Sequence, residues 1–487
     1  MESIFTADYN FKPRARLTED IEADVCVIGG GICGILTAYR LRKAGLKAVI
    51  LEADRLCLGQ TGGTTAKITA HHGYSLKNLT DRYGEKAARE YVRENMRAVE
   101  DFRRIVKENN IDCDFCDADN YLYSIENRET LEEEYRAAVR LGLDAELTNS
   151  VTLPFSTVGA VRVAGQACFH PLKFLAEISK DLTVYEKTRV TDVKGETVFT
   201  RGGTVRAKHI VFACHFPIIN FPGMYFIKMY QERSYVLALK TDFELSGMYI
   251  GLERGTYSLR RYKDFLLFGG GAHRAGKTKE GSGYECLETA AAKFFPGNRV
   301  VSRWSAQDCI PSGKAPLIGR YSESTPNHYV ATGFSKWGMT NSMAAAGIIT
   351  GLITGQRKSA SFFSPSAPRK NSFCGITANA AVSAAGLAAE YLTLPFKAVS
   401  DVPVGEGRTV MYKGKKVGVY RESESVFHAV STKCPHLGCQ LSWNKNEKTW
   451  DCPCHGSRFD IRGRLITNPA VKDLSMSCRV KTNLHKI

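Results

Sequence analysis

The sequence lacks any run of apolar residues long enough to cross a bilayer as a helix, which takes about 20 residues. Residues 1–24 also lack the apolar segment of a secretory signal, because charged residues of both signs are interspersed there. The net charge of +16 is not gathered into an arginine-rich run with interleaved aromatic residues, as a nucleic-acid interface would require. We therefore expect a cytoplasmic protein with no transmembrane segment and no nucleic-acid partner.

Fifteen cysteines would suggest a disulfide scaffold in a small secreted protein, but here they are scattered over 487 residues without a secretory signal. We therefore predict that most of them are buried thiols. This includes Cys113 and Cys116, whose redox-type spacing lies in a predicted strand and not at the start of a helix. The exception is the group between Cys434 and Cys454, where cysteine and histidine occur together.

The length of the chain allows roughly three domains. Residues 1–358 alternate strand patterns with helical periodicity, the latter over about 84–109 and 129–141, which predicts an α/β or α+β fold. Residues 359–397 are rich in Ser, Ala and Pro, so we predict a linker with one helix that packs against the first domain. Residues 398–487 show short Val-rich strands between Gly and Asn turns, which predicts a small all-β domain.

The first domain opens with a buried strand, a glycine turn and a helix. Gly29 would make the tight turn, Gly31 would let the backbone approach a pyrophosphate, and Gly34 would let the helix pack closely on the strand. The helix N-terminus offers N–H groups to phosphate, and Glu52, at the end of the next strand, can accept hydrogen bonds from ribose hydroxyls. The pattern predicts a dinucleotide site.

Later segments resemble the glycine and D-amino acid oxidase family of FAD enzymes. The segment that starts at Gly59 looks like the family's second flavin-contacting segment, residue 190 stands where a strand meets adenine, and residues 331–340 look like its closing flavin motif. The resemblance covers about residues 20 to 358. It implies FAD, a Rossmann-like FAD-binding domain interleaved with a mixed-sheet substrate domain, and oxidation of a C–N bond. The residues that it assigns to FAD, besides those of the glycine turn, are Thr64, Thr65, Val190, Gly333, Trp337, Gly338, Met339 and Thr340.

Thr340 departs from the family pattern. Relatives that oxidise N-methyl amino acids carry a lysine there for the substrate carboxylate, which puts amino-acid oxidation in doubt for this chain. Lys67 and His71 follow the Gly59 segment and are candidates to lie near the flavin, where a cation could tune flavin charge or bind substrate. A solvated or structurally paired role is an equal alternative for both, so the catalytic residues stay unknown.

The C-terminal domain carries Cys434 and His436, then fifteen intervening residues, then Cys452 and His455. Two thiolates and two imidazoles suit a Rieske 2Fe-2S cluster, and they also suit a tetrahedral zinc site. The surrounding Cys-Pro-His-Leu-Gly-Cys and Cys-Pro-Cys-His-Gly-Ser segments resemble Rieske proteins, and the resemblance spans residues 398 to 487. It implies a 2Fe-2S cluster with both cysteines on one iron and both histidines on the other.

The same resemblance implies a possible disulfide between Cys439 and Cys454, with two free thiols as the alternative. Ser457 matches a serine that donates a hydrogen bond to cluster sulfur in high-potential relatives. Phe459 occupies the position of their tyrosine. With one hydrogen bond fewer to the cluster, we predict a reduction potential below theirs.

Together these features predict an FAD-dependent dehydrogenase that oxidises a small amine or amino-acid-like substrate. FAD would collect two electrons, and the Rieske centre would pass them singly to an external acceptor, either a redox partner protein or a quinone-like molecule. One alternative is a reductase that takes electrons through the Rieske centre to FAD and a reducible substrate. A second alternative is a redox-sensing protein with little turnover.

Overall fold

The computed structural model describes residues 2–9, 11–277, 283–367, 373–392, 399–412, 414–475 and 478–481. The chain divides into two compact units. The first comprises Met1–His215, Ser234–Ala272 and Gly281–Asn371, and the second comprises Phe216–Arg233, His273–Glu280 and Ser372–Ile487. Two short segments of the predicted first domain therefore belong to the second unit.

The helices begin and end at recognisable signals. Asn127 precedes the fifth helix and its side chain accepts the N–H of Thr130 at 3.0 Å, and Gly142 ends that helix in the left-handed conformation. In chain order the α-helices are α1 (Ile4–Asp8), α2 (Ile32–Lys43), α3 (Leu76–Tyr83), α4 (Glu85–Glu108), α5 (Arg128–Leu141), α6 (Pro171–Ile178), α7 (Tyr225–Lys228), α8 (Tyr284–Phe294), α9 (Gly338–Ile353) and α10 (Phe373–Leu392).

The strands are mostly short and apolar on at least one face. In chain order they are β1 (Ile21–Ile28), β2 (Ala48–Leu51), β3 (Lys67–Ile68), β4 (Cys116–Asp117), β5 (Asn120–Ser124), β6 (Ala145–Thr148), β7 (Gly159–Val163), β8 (Ala167–Cys168), β9 (Thr183–Tyr185), β10 (Val190–Lys194), β11 (Thr197–Thr200), β12 (Thr204–Phe212), β13 (Met229–Lys240), β14 (Met248–Gly251), β15 (Ser258–Tyr262), β16 (Phe265–Arg274), β17 (Arg299–Pro311), β18 (Leu317–Ser322), β19 (Thr325–Thr332), β20 (Gly407–Tyr412), β21 (Lys415–Ser423), β22 (Val426–Ser431), β23 (Ser442–Asn444), β24 (Thr449–Asp451), β25 (Arg458–Phe459), β26 (Leu465–Thr467) and β27 (Cys478–Lys481).

The first unit is built on a parallel sheet in the order β9-β2-β1-β12-β19, to which β10, β11 and β18 add antiparallel strands. All four residues of β2 are buried, as expected of a strand covered on both faces. Helix α2 packs against α9. A second, mixed sheet has the order β17-β13-β16-β15-β14-β5-β7-β6, and β3, β8 and β4 form a small third sheet.

The second unit contains two antiparallel four-stranded sheets, in the orders β20-β21-β22-β27 and β23-β24-β25-β26. The loops β22–β23 and β24–β25 carry the predicted iron ligands. A buried cluster that includes Trp450 and Phe459 packs beneath them. These ligand loops are therefore held between strands over an apolar core.

The predicted fold class is confirmed, with mixed α/β architecture first and a β-rich domain at the C-terminal end. The predicted helices over 84–109 and 129–141 correspond to α4 and α5. Helix α10 lies in the predicted linker and belongs to the second unit, where it contacts α7. Our expectation that it packs against the first domain stays a prediction. Within the described ranges, no helix has the length and apolarity needed to cross a bilayer.

Candidate functional site

The glycine turn joins β1 to α2. Gly29 follows β1 and its N–H donates to the Leu51 carbonyl of β2 at 2.9 Å, while Gly31 caps the N-terminus of α2. A Cβ on Gly34 would lie 1.9 Å from the Gly29 carbonyl oxygen, so helix and turn can approach this closely only with glycine there. The hydroxyl of Thr61 accepts the first helical N–H, from Ile32, at 3.0 Å.

Glu52 directly follows β2 and is half-buried. Its oxygens accept the N–H groups of Gly30 at 2.7 Å and Asp54 at 2.8 Å. Burial raises the pKa of Glu52 although both hydrogen bonds act against the rise. The backbone of Glu52 also accepts the N–H of Thr188, two residues before Val190, at 2.8 Å. The carboxylate is thus fixed beside the glycine turn, and its remaining lone pairs can take ribose hydroxyls.

The other predicted FAD residues of the first half are Thr64, Thr65 and Val190. Thr64 and Thr65 are half-buried in the loop before β3, where the Thr64 hydroxyl accepts the N–H of Ala66 at 2.9 Å. Val190 is buried at the start of β10. The sequence therefore places small polar and apolar groups here, as a nucleotide site requires, and their contact with FAD stays a prediction.

The predicted closing motif forms the start of α9. Gly333 follows β19 with a φ of 74°, Trp337 is the N-cap residue and Gly338 is the first helical residue. Met339 and Thr340 are both buried. The motif thus links the end of β19, a strand of the parallel sheet, to a helix N-terminus with its partial positive charge.

His72 joins the closing motif to the segment that follows β3. Its ring stacks on Trp337 with centroids 4.8 Å apart, and its Nε2 lies 2.7 Å from the Thr69 carbonyl and 3.0 Å from the Thr340 hydroxyl. Since a carbonyl oxygen only accepts, Nε2 carries the proton and Nδ1 accepts from the Tyr91 hydroxyl. Burial lowers the pKa of His72 to about 3, so the ring stays neutral. His71 was predicted from the sequence as a near-flavin candidate, whereas His72 was not.

The two near-flavin candidates are both buried and both engaged. Lys67 donates to the Tyr249 carbonyl at 2.7 Å and to the Ser258 hydroxyl, on strands β14 and β15. Burial lowers the pKa of Lys67 to about 7. Nε2 of His71 lies 3.4 Å from a Glu134 carboxylate oxygen. This supports a structurally paired role and leaves their position relative to the flavin a prediction.

The predicted iron ligands stand on two loops of matching geometry. In the first, the N–H of Cys434 donates to the Cys439 carbonyl and the N–H of Gly438 donates back to Cys434, both at 2.9 Å. The second loop repeats the pattern. The N–H of Cys452 donates to the Ser457 carbonyl at 2.8 Å, and the N–H of Gly456 donates to the Cys452 carbonyl at 2.9 Å. Both cysteines are 1% exposed, so each loop presents its thiol inward.

The two histidines leave one nitrogen each for a metal. Nδ1 of His436 and Nδ1 of His455 are buried and have no hydrogen-bond partner in the described part of the chain. Their rings lie at 82° with centroids 4.9 Å apart. Burial lowers the pKa of both, which keeps the imidazoles neutral as metal ligands must be. Two orphaned Nδ1 atoms beside two buried thiols fit a cluster ligated by two cysteines and two histidines.

The outer edges of the histidines are held by residues far away in sequence. Nε2 of His436 lies 2.7 Å from the Asn220 side-chain oxygen, and Nε2 of His455 lies 3.4 Å from the Ser383 hydroxyl. Gln231 donates from Nε2 to the His455 carbonyl at 2.7 Å. These contacts fix the ring orientations, as hydrogen bonds to metal-ligating histidines commonly do. None of these three residues was predicted from the sequence, because no local pattern marks them.

Helix α10 lies against the cluster loops. A Cβ on Gly386 would lie 2.4 Å from the Cys454 sulfur, and the Gly386 carbonyl accepts the N–H of Gln440 at 3.2 Å. Cys439 and Cys454 are free thiols whose sulfurs lie within 4.8 Å of each other and of the Cys452 sulfur. This proximity is compatible with the predicted disulfide, which stays a prediction. The close approach of α10 to Cys454 explains why glycine stands at position 386.

A buried carboxylate supports the strand that leads into the second ligand loop. Asp451 accepts from Asn444 at 3.0 Å and from Thr449 at 2.7 Å, and lies 3.3 Å from the Arg233 guanidinium. Burial alone would raise the pKa of Asp451, but the positive charges of Arg233 and Arg458 hold this pKa below its usual value. The residue directly before Cys452 is therefore charged and fixed.

The redox-type spacing of Cys113 and Cys116 does not form a pair. Cys113 is buried, as predicted, but Cys116 is exposed because it starts the edge strand β4, so the prediction of a buried thiol is wrong there. The Cys116 sulfur lies 2.8 Å from the Cys168 sulfur of β8. The spacing in sequence gave no sign of this partner.

Comparison with known proteins agrees with both sites. The family described as FAD dependent oxidoreductase matches residues 24–352, and the Rieske [2Fe-2S] domain matches residues 393–481. The match to the second favours a 2Fe-2S cluster over zinc.

Two relatives and one solved structure illustrate these matches. The Rieske 2Fe-2S iron-sulfur protein YhfW of Bacillus subtilis is 36% identical, over 94% of each chain. Gamma-glutamylputrescine oxidoreductase of Escherichia coli is 25% identical, over 72% of this chain and 89% of its own. The crystal structure of L-proline dehydrogenase from P. horikoshii is 17% identical, with a TM-score of 0.60 over 71% of this chain and 97% of that one, and so shares the fold.

Proposed function

Since the chain belongs to the FAD dependent oxidoreductase family and carries a Rieske [2Fe-2S] domain, we propose that it oxidises a small amine or amino-acid-like substrate and passes the electrons singly to an external acceptor. FAD takes two electrons from a substrate, whereas a Rieske cluster carries one at a time. The observation that carries the proposal is the pair of buried Nδ1 atoms of His436 and His455, which have no hydrogen-bond partner among the described residues and so are available to a cluster that transfers one electron at a time.

The substrate class rests on the relative named for γ-glutamylputrescine and on the surroundings of Thr340. Thr340 donates to the Thr69 carbonyl at 2.9 Å and contacts neutral His72, so this position offers no cation to a carboxylate. An amine whose binding needs no carboxylate contact here fits better than a simple amino acid. The buried ring of His72 also shields the N-terminus of α9 from water. The lower local dielectric strengthens the partial positive charge of that helix end.

The acceptor proposed here is a one-electron redox protein or a quinone-like molecule. Asn220 and Ser383 hold the histidine edges, so the ligand rings stay in one orientation while the cluster changes charge. The substrate, the acceptor, the direction of electron flow and a cytoplasmic location stay proposals.

The test is anaerobic reduction of the full-length protein. Purified protein, with flavin, iron and sulfide counted, is mixed with γ-glutamylputrescine, putrescine, glycine or L-proline, while flavin absorbance and the cluster's paramagnetic signal are followed. We expect an amine to bleach the flavin and to produce the paramagnetic signal in the same sample.

The matched control is Cys452→Ser, which removes one iron ligand. In this variant the same amine should bleach the flavin without producing the paramagnetic signal. If no amine reduces either centre but a reduced ferredoxin-type donor reduces both, electrons run towards a reducible substrate and the dehydrogenase proposal fails. Reduction of the flavin alone in the unaltered, iron-loaded protein would contradict the transfer step.

A further inference from the structure

A row of three reactive side chains crosses the small sheet of the first unit. Strand β8 lies between β3 and β4, with Cys168 opposite Lys67 on one side and opposite Cys116 on the other. Residues directly opposite each other on neighbouring strands point to the same face of a sheet. The two cysteine sulfurs are 2.8 Å apart, and both cysteines are free. None of these thiols belongs to the iron site.

The two sulfurs have different surroundings. Cys116 is exposed, whereas Cys168 is only 6% exposed and faces the positive charges of Arg260 and Lys67. The hydrogen bond from Cys116, together with these charges, lowers the pKa of Cys168. The same hydrogen bond raises the pKa of Cys116. Of the two sulfurs, Cys168 is therefore the one whose surroundings favour a negative charge.

The surroundings of Arg260 give a structural reason for a negative charge at this place. Its guanidinium is 1% exposed, and its Nε and Nη1 are buried without a hydrogen-bond partner in the described residues. Nη2 reaches the Phe169 carbonyl at 3.3 Å. A buried arginine needs an anionic neighbour, and a thiolate on Cys168 is the group that provides it.

We propose that Cys168 and Cys116 are a peroxide-sensitive thiol pair that closes reversibly to a disulfide. The Cys168 thiolate attacks one oxygen of a peroxide; an S–O bond forms, the O–O bond breaks, and the departing hydroxide takes a proton to become water. The Cys116 sulfur then attacks the Cys168 sulfenic acid; the S–S bond forms, the S–O bond breaks, and a second water leaves with the Cys116 proton. Two thiols and one hydrogen peroxide give one disulfide and two waters.

The geometry also favours the reverse reaction. An external thiolate can reach the exposed Cys116 sulfur, and Cys168 then leaves as the thiolate that Arg260 and Lys67 stabilise. A second external thiol frees Cys116, so one disulfide of the reductant forms for each pair reduced. Oxidation removes the negative charge that faces Lys67, which couples the redox state of the pair to that buried amine.

The test uses the full-length, cofactor-loaded protein treated with hydrogen peroxide, then with a thiol-blocking maleimide, and analysed by peptide mass spectrometry. We expect a cross-linked peptide joining Cys116 to Cys168 that disappears on treatment with dithiothreitol. In Cys116→Ser, which changes an exposed side chain, the cross-link should be absent and Cys168 should be captured by dimedone as the sulfenic acid.

The matched control is Cys113→Ser, which removes a nearby buried thiol and should leave the cross-link unchanged. A cross-link that requires Cys113 would overturn the proposal. So would full maleimide labelling of Cys116 and Cys168 after peroxide. Absence of the dimedone adduct on Cys168 in Cys116→Ser, in a variant that keeps its flavin absorbance, would refute the order of the two steps.

Discussion

Phe459 is the residue at which we predict that this cluster differs from those of high-potential Rieske proteins. It lies fully buried on β25, opposite Trp450 of β24, and carries no hydroxyl to donate. Ser457 is also fully buried and its side-chain oxygen accepts the N–H of Ala470 at 3.0 Å, which leaves its own proton available to a neighbouring acceptor. Ser457 therefore keeps a hydroxyl that can donate to the cluster, whereas Phe459 offers no donor.

Phe459→Tyr should raise the reduction potential of the cluster, because an added hydrogen bond stabilises the more negative, reduced form. A bond that favours reduction by about 1.4 kcal/mol corresponds to about 59 mV for a one-electron couple. Protein-film voltammetry measures the shift. Phe427→Tyr, which adds a hydroxyl in the other sheet of the same unit, is the control and should leave the potential unchanged. An unchanged or lower potential in Phe459→Tyr would contradict the argument.

At the scale of elements, the turn between β1 and α2 and the two ligand loops could be predicted because each is built from residues adjacent in sequence. The geometry of the glycine turn and of the Cys-Pro-His loop is set by the residues of each segment itself. The partners of those elements could not be predicted in this way. Ser383, Asn220 and His72 reach their contacts through the packing of separate elements, and nothing in their flanking residues reports it.

Gly34→Ala should loosen the start of α2 and reduce FAD binding, since the added methyl group would lie 1.9 Å from the Gly29 carbonyl. Overpacking of this kind costs about 1–3 kcal/mol. The FAD-to-protein ratio after purification and the thermal unfolding midpoint measure the effect. Gly347→Ala, in α9, meets nothing closer than 3.9 Å and is the matched control. Full FAD content in Gly34→Ala would mean that the turn tolerates the methyl group by shifting.

At the scale of the whole molecule, the fold class was predictable and the division of the chain was less so. Composition placed a linker near residues 359–397, yet the compact unit that holds the cluster also takes in Phe216–Arg233 and His273–Glu280. Local sequence cannot signal this, because the ion pair between Arg233 and Asp451 joins residues 218 positions apart. Such a contact depends on the tertiary fold alone.

Arg233→Met should destabilise the second unit by about 3–5 kcal/mol, because it leaves the buried Asp451 carboxylate short of a positive charge. Denaturant unfolding followed by loss of the cluster's visible absorbance measures this. Arg89→Met is the control, since it removes an exposed ion pair with Glu85 and should cost about 0–1 kcal/mol. Equal stability of the two variants would show that the buried pair contributes little.

The long-range support of the histidines limits how this protein can be rearranged. Transplanting residues 372–487 onto another enzyme would leave Asn220, Gln231 and Arg233 behind, so the graft would bring its iron ligands without the groups that orient them. During synthesis, Asn220 is added to the chain 216 residues before His436. The iron ligands and the groups that orient them are therefore present together only after both segments have been synthesised. Domain engineering and cluster loading both therefore require Phe216–Arg233 and Ser372–Ile487 to be present in the same chain.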